Sequence, residues 1–315
     1  MRECGAYDGA HTSRRRPKCR VLAMAIIERS VTYFSEGDRL AGVVYLPAES
    51  QGPVPGVVLC HGFTAIKELI LPDYGRAFAE AGFAALAFDY RGFGESEGPR
   101  GRLIARRQID DIRNSVTFIG TLPEVDPQRI GLWGTSYGAA NVIVAAAEDP
   151  RVKCVTAQVG FADGGRRSRE RPAAETAPMR AMIEEERKKR VLTNAPTMVE
   201  PLQLLSDPET VAFFMEARKS LPALSQPISM EFLESTMEHR PIEAAAKLAG
   251  CPLLVVAAEL DTLTPAADSE ALYDAANEPK RLVILPGIRH YEIYSGEPLR
   301  KSSAEAVAWF KAHLA

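Results

Sequence analysis

Ser136 stands in Gly134-Thr135-Ser136-Tyr137-Gly138, directly after the apolar run Ile130-Gly131-Leu132-Trp133 and directly before Ala139 to Glu148, which favour helix. Gly-x-Ser-x-Gly between a strand and a helix is the setting in which a serine hydroxyl is held out on a tight, strained turn. Lacking Cβ atoms, Gly134 and Gly138 let such a turn pack closely on its neighbours. The competing reading is a serine that only caps a helix. A nucleophilic role needs more: a base to take the hydroxyl proton, a group to orient that base, and donors for a developing oxyanion.

His290 is the candidate base, because an imidazole with an ordinary pKa of about 6.5 can accept and return a proton near neutrality. Of the five histidines, His11, His239 and His313 fall in the N-terminal stretch, a helical insertion and the last helix. His61 reads as a brace for its own loop. His290 alone follows the last strand. Asp261 is the candidate orienting acid, fixing the imidazole tautomer and stabilising the imidazolium. Glu259 lies too near the strand body to compete, and Asp268 lies inside a helix. The backbone N–H of Tyr137, just after the serine, is one candidate oxyanion donor, and its side chain is placed at the pocket mouth.

These residues need elements to carry them. Val31 to Phe34 and Leu40 to Leu46 flank the turn signal Ser35-Glu36-Gly37-Asp38, which predicts an antiparallel hairpin at a sheet edge. Val57 to Cys60, Phe83 to Phe88, Val152 to Val159, Pro252 to Val256 and Leu282 to Leu285 are short, continuously apolar runs, as strands buried on both faces should be. Helical stretches separate them, including Ala105 to Thr121, with Ile109, Ile112, Val116 and Ile119 on one face. The expected fold class is α/β, with a mostly parallel sheet, an N-terminal antiparallel hairpin, helices on both faces and an inserted helical cap. The core is assigned to residues 24–160 and 250–315 and the cap to residues 161–249, where the alternation stops. Ligands of such sheets bind beyond the carboxyl ends of the strands, where Ser136, His61 and Asp89 fall.

Arg166 to Arg171 reads as a basic loop, whose arginines at 166, 167, 169 and 171 could steer an anionic substrate. The run Glu184 to Arg190 reads as a solvated helix face with i,i+4 pairing. A final amphipathic helix is expected from Ser303 to Leu314. Residues 1–23 are rich in Arg, Gly and small polar types and read as a disordered tail, with Met24 as an alternative initiator.

The 315 residues carry a net charge of -3, which gives no reason to expect a nucleic-acid partner. No apolar run approaches the ~20 residues that span a bilayer, so no membrane partner is expected. Five cysteines without C-x-x-C spacing argue against a disulfide framework and for a reducing, cytoplasmic setting. Cys60, Cys154 and Cys251 read as packing residues. No cofactor or metal is called for: there is no Gly-x-x-x-x-Gly-Lys-Ser/Thr loop, and Gly92-x-Gly94 lacks the rest of a dinucleotide fingerprint. A homo-oligomer is left open.

His61-Gly62, Asp89-Tyr90-Arg91-Gly92-Phe93-Gly94-Glu95-Ser96, Gly134 to Gly138, Asp261-Thr262-Leu263-Thr264-Pro265 and His290, in that order, resemble the α/β-hydrolase family in its serine-hydrolase branch. The resemblance runs from Ile26 to the C-terminus. The hairpin followed by Leu46-Pro47, and His290 to Tyr294, are most similar to dienelactone-hydrolase-like and Xaa-Pro dipeptidyl-peptidase-like members. It implies a catalytic set Ser136, Asp261 and His290, and a second oxyanion donor in the backbone N–H of Phe63. It implies structural roles for Asp89 and Arg91 in shaping the neighbouring loop. The expected activity is cleavage of a carboxylic ester of a small-molecule acyl substrate through an acyl-enzyme. An acyltransferase, thioesterase, amidase, peptidase or C–C hydrolase could use the same groups, and a non-catalytic binding module on the same fold is the alternative from another class.

Overall fold

The computed structural model describes residues 25–314. The expectations for residues 1–23 and for Met24 lie outside the described residues, as do Cys4, Cys19 and His11. Strand β1 (Ile26–Ser35) turns back into β2 (Asp38–Pro47) in an antiparallel register that pairs Ser35 with Asp38. Glu36 and Gly37 make the turn with φ of 49° and 91°, the left-handed pair that matches the twist of a two-residue hairpin. The expected edge hairpin is therefore present.

Strand β3 (Val54–Cys60), helix α1 (Leu71–Glu80), β4 (Ala84–Phe88), α2 (Ala105–Ile119), β5 (Val125–Thr135), α3 (Tyr137–Glu148) and β6 (Val152–Gln158) follow. An insertion then holds α4 (Arg166–Glu170), α5 (Ala173–Thr193), β7 (Met198–Val199), α6 (Pro201–Leu204), α7 (Pro208–Ala217), β8 (Ile228–Ser229), α8 (Glu231–Glu238) and α9 (Pro241–Ala245). The chain closes with β9 (Leu253–Ala258), α10 (Ala266–Ala275), β10 (Lys280–Leu285) and α11 (Gly296–His313). The large sheet has eight strands in the order β1-β2-β4-β3-β5-β6-β9-β10. β2 meets β1 and β4 antiparallel, and the remaining neighbours are parallel.

The sheet is buried on both faces, and the two-residue period of a strand sorts its side chains. Val58, Leu86 and Leu132 join one apolar cluster with residues of α2 and α3. Val57, Leu59, Ala85, Ala87 and Trp133 join the other with residues of α1 and α11. Trp133, fully buried, lies 4.2 Å from Tyr74 between ring centroids. A rigid, two-sided core of this kind fixes the strand ends from which the functional loops leave.

Three local expectations were off. α11 begins at Gly296, two turns before Ser303, because Pro298 occupies the first turn, where a missing N–H leaves no helical bond unmade. Pairing of β5 starts at Val125, ahead of the apolar run from Ile130; its register breaks between Pro55 and Gly56 opposite, so residues 127–129 bulge out of the ladder. Arg166 to Glu170 is a short helix, and the two-residue pairing of β7 with β8 had no visible signal. No described helix is long and apolar enough to cross a membrane.

Candidate active site

β5 ends at Thr135 and α3 begins at Tyr137, leaving Ser136 alone on the turn with φ 54° and ψ -121°. A left-handed φ is costly for a residue with a Cβ and persists only where surroundings enforce it. They do so by close packing: a Cβ on Gly138 would overlap the carbonyl oxygens of Cys60 and His61, and one on Gly134 would overlap Gly138. Thr64 (φ 47°) and Val159 (φ 44°) flank the same region. Three of the five non-glycine residues with positive φ among the described residues therefore gather here.

β9 and β10 bring the other two groups to the same edge. His290 Nδ1 donates to Asp261 Oδ2 at 2.6 Å, and Nε2 lies 3.1 Å from Ser136 Oγ. With Nδ1 protonated, Nε2 is left as the acceptor for the serine proton. Both Asp261 and His290 are buried. Asp261 Oδ1 accepts the backbone N–H groups of Leu263 and Thr264, each at 2.8 Å. The Thr264 hydroxyl lies 2.9 Å from Asp261 Oδ2 and 2.8 Å from the carbonyl of Val159. Thr264 thus locks the carboxylate rotamer, a part that sequence reading did not assign. An aspartate shortly ahead of a helix start, a residue type that accepts the N–H groups two and three residues on, was the available signal. Glu259 points away, accepting from the N–H of Gly287 at 2.7 Å. Asp268 sits in the first turn of α10.

The two backbone N–H groups expected to receive an oxyanion lie on two elements. Tyr137 is the first residue of α3, and the N–H groups of a first helical turn have no partner within the helix. The loop after β3 passes directly beside the serine, since a Cβ on Gly62 would lie 3.4 Å from Ser136 Oγ. Phe63, the next residue, packs its ring 4.9 Å from that of Phe232. His61 is buried, its Nδ1 donating to the carbonyl of Gly62 at 3.1 Å, and burial holds its pKa below the ordinary imidazole value. It is thus a neutral brace of the loop. The Tyr137 hydroxyl meets that of Thr236 on α8 at 3.1 Å.

Lys67 anchors the far end of that loop. Asp89, fully buried at the end of β4, accepts the Lys67 backbone N–H at 2.8 Å and its ammonium at 2.9 Å. Glu95 and Glu68 approach the same ammonium at 2.7 and 2.5 Å. Burial pulls the lysine pKa down, but these carboxylates outweigh it and hold the ammonium above its ordinary range. Glu68, Asp89 and Glu95 are the metal-like cluster among the described residues, and the Lys67 ammonium occupies the place a cation would take. Arg91 donates to buried Asp111 at 2.8 Å and fastens the adjoining loop. Cys60 is buried, and burial pushes its thiol pKa far up, so it is a poor nucleophile.

Ser136 opens onto two cavities. One of about 260 Å³ is walled by Tyr137, Phe161, Leu205 and Phe232. The other, about 30 Å³, is walled by His290, Phe213, Phe214 and Tyr291. Arg166 pairs with Asp268 at 3.1 Å and Arg169 with Asp163, so the charges of these two arginines are met within the fold.

An α/β hydrolase is defined by such a sheet, with its serine on a strand–helix turn and its histidine and acid on later strand ends. Residues 51–295 match the family model described as serine aminopeptidase, S33, and the chain belongs to that family. It is 40% identical over 262 residues to a 31.7 kDa protein of the traX-finO intergenic region of Escherichia coli, covering 82% of this chain and 91% of that one. It is 30% identical to the acyltransferase drtE of Aspergillus calidoustus, over 80% of this chain and 85% of the relative. A thiohydrolase of Eupenicillium brefeldianum is 27% identical over 83% of this chain and 86% of its own length. Among solved structures, the hypothetical protein PA2218 of Pseudomonas aeruginosa superposes with a TM-score of 0.81 at 26% identity, covering 91% of this chain and 94% of that one.

Proposed function

We propose that the protein is a serine hydrolase that cleaves a carboxylic ester, or a related acyl bond such as a thioester, through an acyl-enzyme. The reading is carried by one observation: His290 bridges Ser136 Oγ at 3.1 Å and Asp261 Oδ2 at 2.6 Å through its two ring nitrogens. Ser136 Oγ attacks the acyl carbon while His290 Nε2 takes its proton. Asp261 holds the Nδ1–H tautomer and stabilises the imidazolium. The backbone N–H groups of Tyr137 and Phe63 receive the oxyanion, each worth ~3–4 kcal/mol to the transition state. His290 then passes the proton to the departing oxygen or sulfur, and water repeats the sequence in reverse to free the acid.

Acyl transfer is the second reading, favoured by the acyltransferase among the relatives; it differs only in the acceptor that replaces water. A non-catalytic binding module would leave the strained turn and the histidine–acid pair without a purpose. The substrate is a small-molecule acyl compound, with no cofactor, nucleic acid or membrane involved, and a homo-oligomer compatible with it. A cytoplasmic location fits the free thiols of Cys60, Cys154 and Cys251. A fluorophosphonate probe tests the proposal: it should label the wild type and not Ser136→Ala, and an unlabelled wild type would leave only the binding module.

A further inference from the structure

The two cavities at Ser136 differ in which catalytic group they reach. His290 lines the small slot but not the large chamber, whereas Tyr137 lines the chamber but not the slot. In acyl transfer, the base must hand its proton to the leaving atom and later take one from the incoming nucleophile. Both of those atoms therefore belong on the His290 side. The acyl group, bonded to the same carbon, is directed to the opposite side.

Size and chemistry separate the two sides further. At about 260 Å³, the chamber falls just below the ~300 Å³ at which small-molecule pockets begin. Its apolar walls include Phe161, Leu204, Leu205, Phe232 and Leu233, and Arg166 and Asp268, also on its lining, pair at 3.1 Å. Asp163, also on its wall, is met by Arg169 and by Arg240 at 3.4 Å. Each charged group on the chamber wall thus has a counter-charge. The slot, at about 30 Å³, is far smaller than the chamber. Its wall is stiff: Phe213 stacks on Tyr291 at 4.3 Å, and the Tyr291 hydroxyl meets Thr210 of α7 at 3.0 Å.

We propose that the chamber takes a neutral, apolar acyl group of medium length, and that the slot takes a compact leaving group and then water. The aromatic wall of Phe213 and Tyr291 makes the protein a hydrolase of such substrates and excludes bulky acceptors. This rests on the acyl-enzyme reading above. The Ser136 Oγ–acyl bond forms as the bond from acyl carbon to leaving oxygen or sulfur breaks. The serine proton leaves on that atom. Water then supplies the oxygen of the released acid and returns a proton to Ser136.

Two ester series on the purified full chain test this: methyl esters from acetyl to dodecanoyl, and octanoyl esters of methanol, butanol and benzyl alcohol, followed by acid release. Leu233→Trp should depress dodecanoyl relative to butanoyl turnover by ~10-fold, leaving the methyl-to-benzyl ratio as in the wild type. Phe213→Ala should raise benzyl relative to methyl turnover by ~10-fold without moving the acyl optimum. Leu233→Phe and Phe213→Leu serve if either larger change prevents folding. Exchanged responses, or profiles indifferent to both sites, overturn the assignment while fluorophosphonate labelling stays intact. Loss of wild-type labelling would instead remove the acyl-enzyme reading itself.

Discussion

Asp89 holds Lys67 twice, by the backbone N–H at 2.8 Å and by the ammonium at 2.9 Å, with both side chains almost wholly buried. A carboxylate that grips main chain and side chain of one residue fixes where that stretch begins and how it turns. The stretch is the one that carries Phe63 past Ser136. The position of the proposed oxyanion donor on Phe63 thus depends on an ion pair that lines neither cavity at Ser136.

Lys67→Met should cost ~3–5 kcal/mol of stability, because it leaves a buried carboxylate without its counter-charge. Urea unfolding measures the loss. The double variant with Asp89→Asn should recover part of it, and full additivity of the two changes would show that the pair is not coupled.

Asp261→Asn should lower kcat by ~10⁴-fold with little change in KM. The amide still offers an oxygen to the N–H groups of Leu263 and Thr264, so the loop survives. Its NH₂ group faces His290 Nδ1 and forces the proton to Nε2, where it blocks uptake of the serine proton. Steady-state kinetics and a melting curve separate the two effects, and a variant retaining a tenth of wild-type kcat would remove Asp261 from its role.

Gly138→Ala should abolish activity or folding, since the added methyl would meet the carbonyl oxygens of Cys60 and His61. Backbone at both contacts leaves little room for relief. Soluble protein labelled by fluorophosphonate at the wild-type rate would contradict this packing. Tyr137→Phe provides the contrast. It keeps the backbone N–H and loses the hydroxyl's bonds to α8, at Thr236 and Ser235, so kcat should hold within a few-fold while stability falls by ~1 kcal/mol.

Acid should destabilise the fold through His239, which burial lowers to about 4. The unfolded imidazole, near ~6.5, binds a proton that the folded one refuses, so stability is fully present above that value and is lost as pH falls through the folded pKa. The shift corresponds to an effect on the order of 3 kcal/mol. His61, also lowered by burial, adds in the same direction. Urea midpoints compared at neutral pH and near pH 5 should drop less in His239→Gln than in the wild type.

The linear chain by itself determined the alternation of buried strands and amphipathic helices, the hairpin at the edge, and the positions of Ser136, Asp261 and His290. Each is local information: an apolar run of strand length, a turn residue, a polar side chain placed just past a strand end. The α/β crossover rule then sends all those ends to one edge, so the order of the three residues could be read without coordinates. Only the tertiary structure decided that Lys67 fills the acidic cluster beside the Phe63 loop, and that Phe213 closes on Tyr291. These partners are separated by long stretches of chain or sit in an insertion of short, proline-bounded helices. Their placement follows from what they pack against rather than from any periodicity of their own, so the cavities beside Ser136 became visible only once the insertion met the sheet.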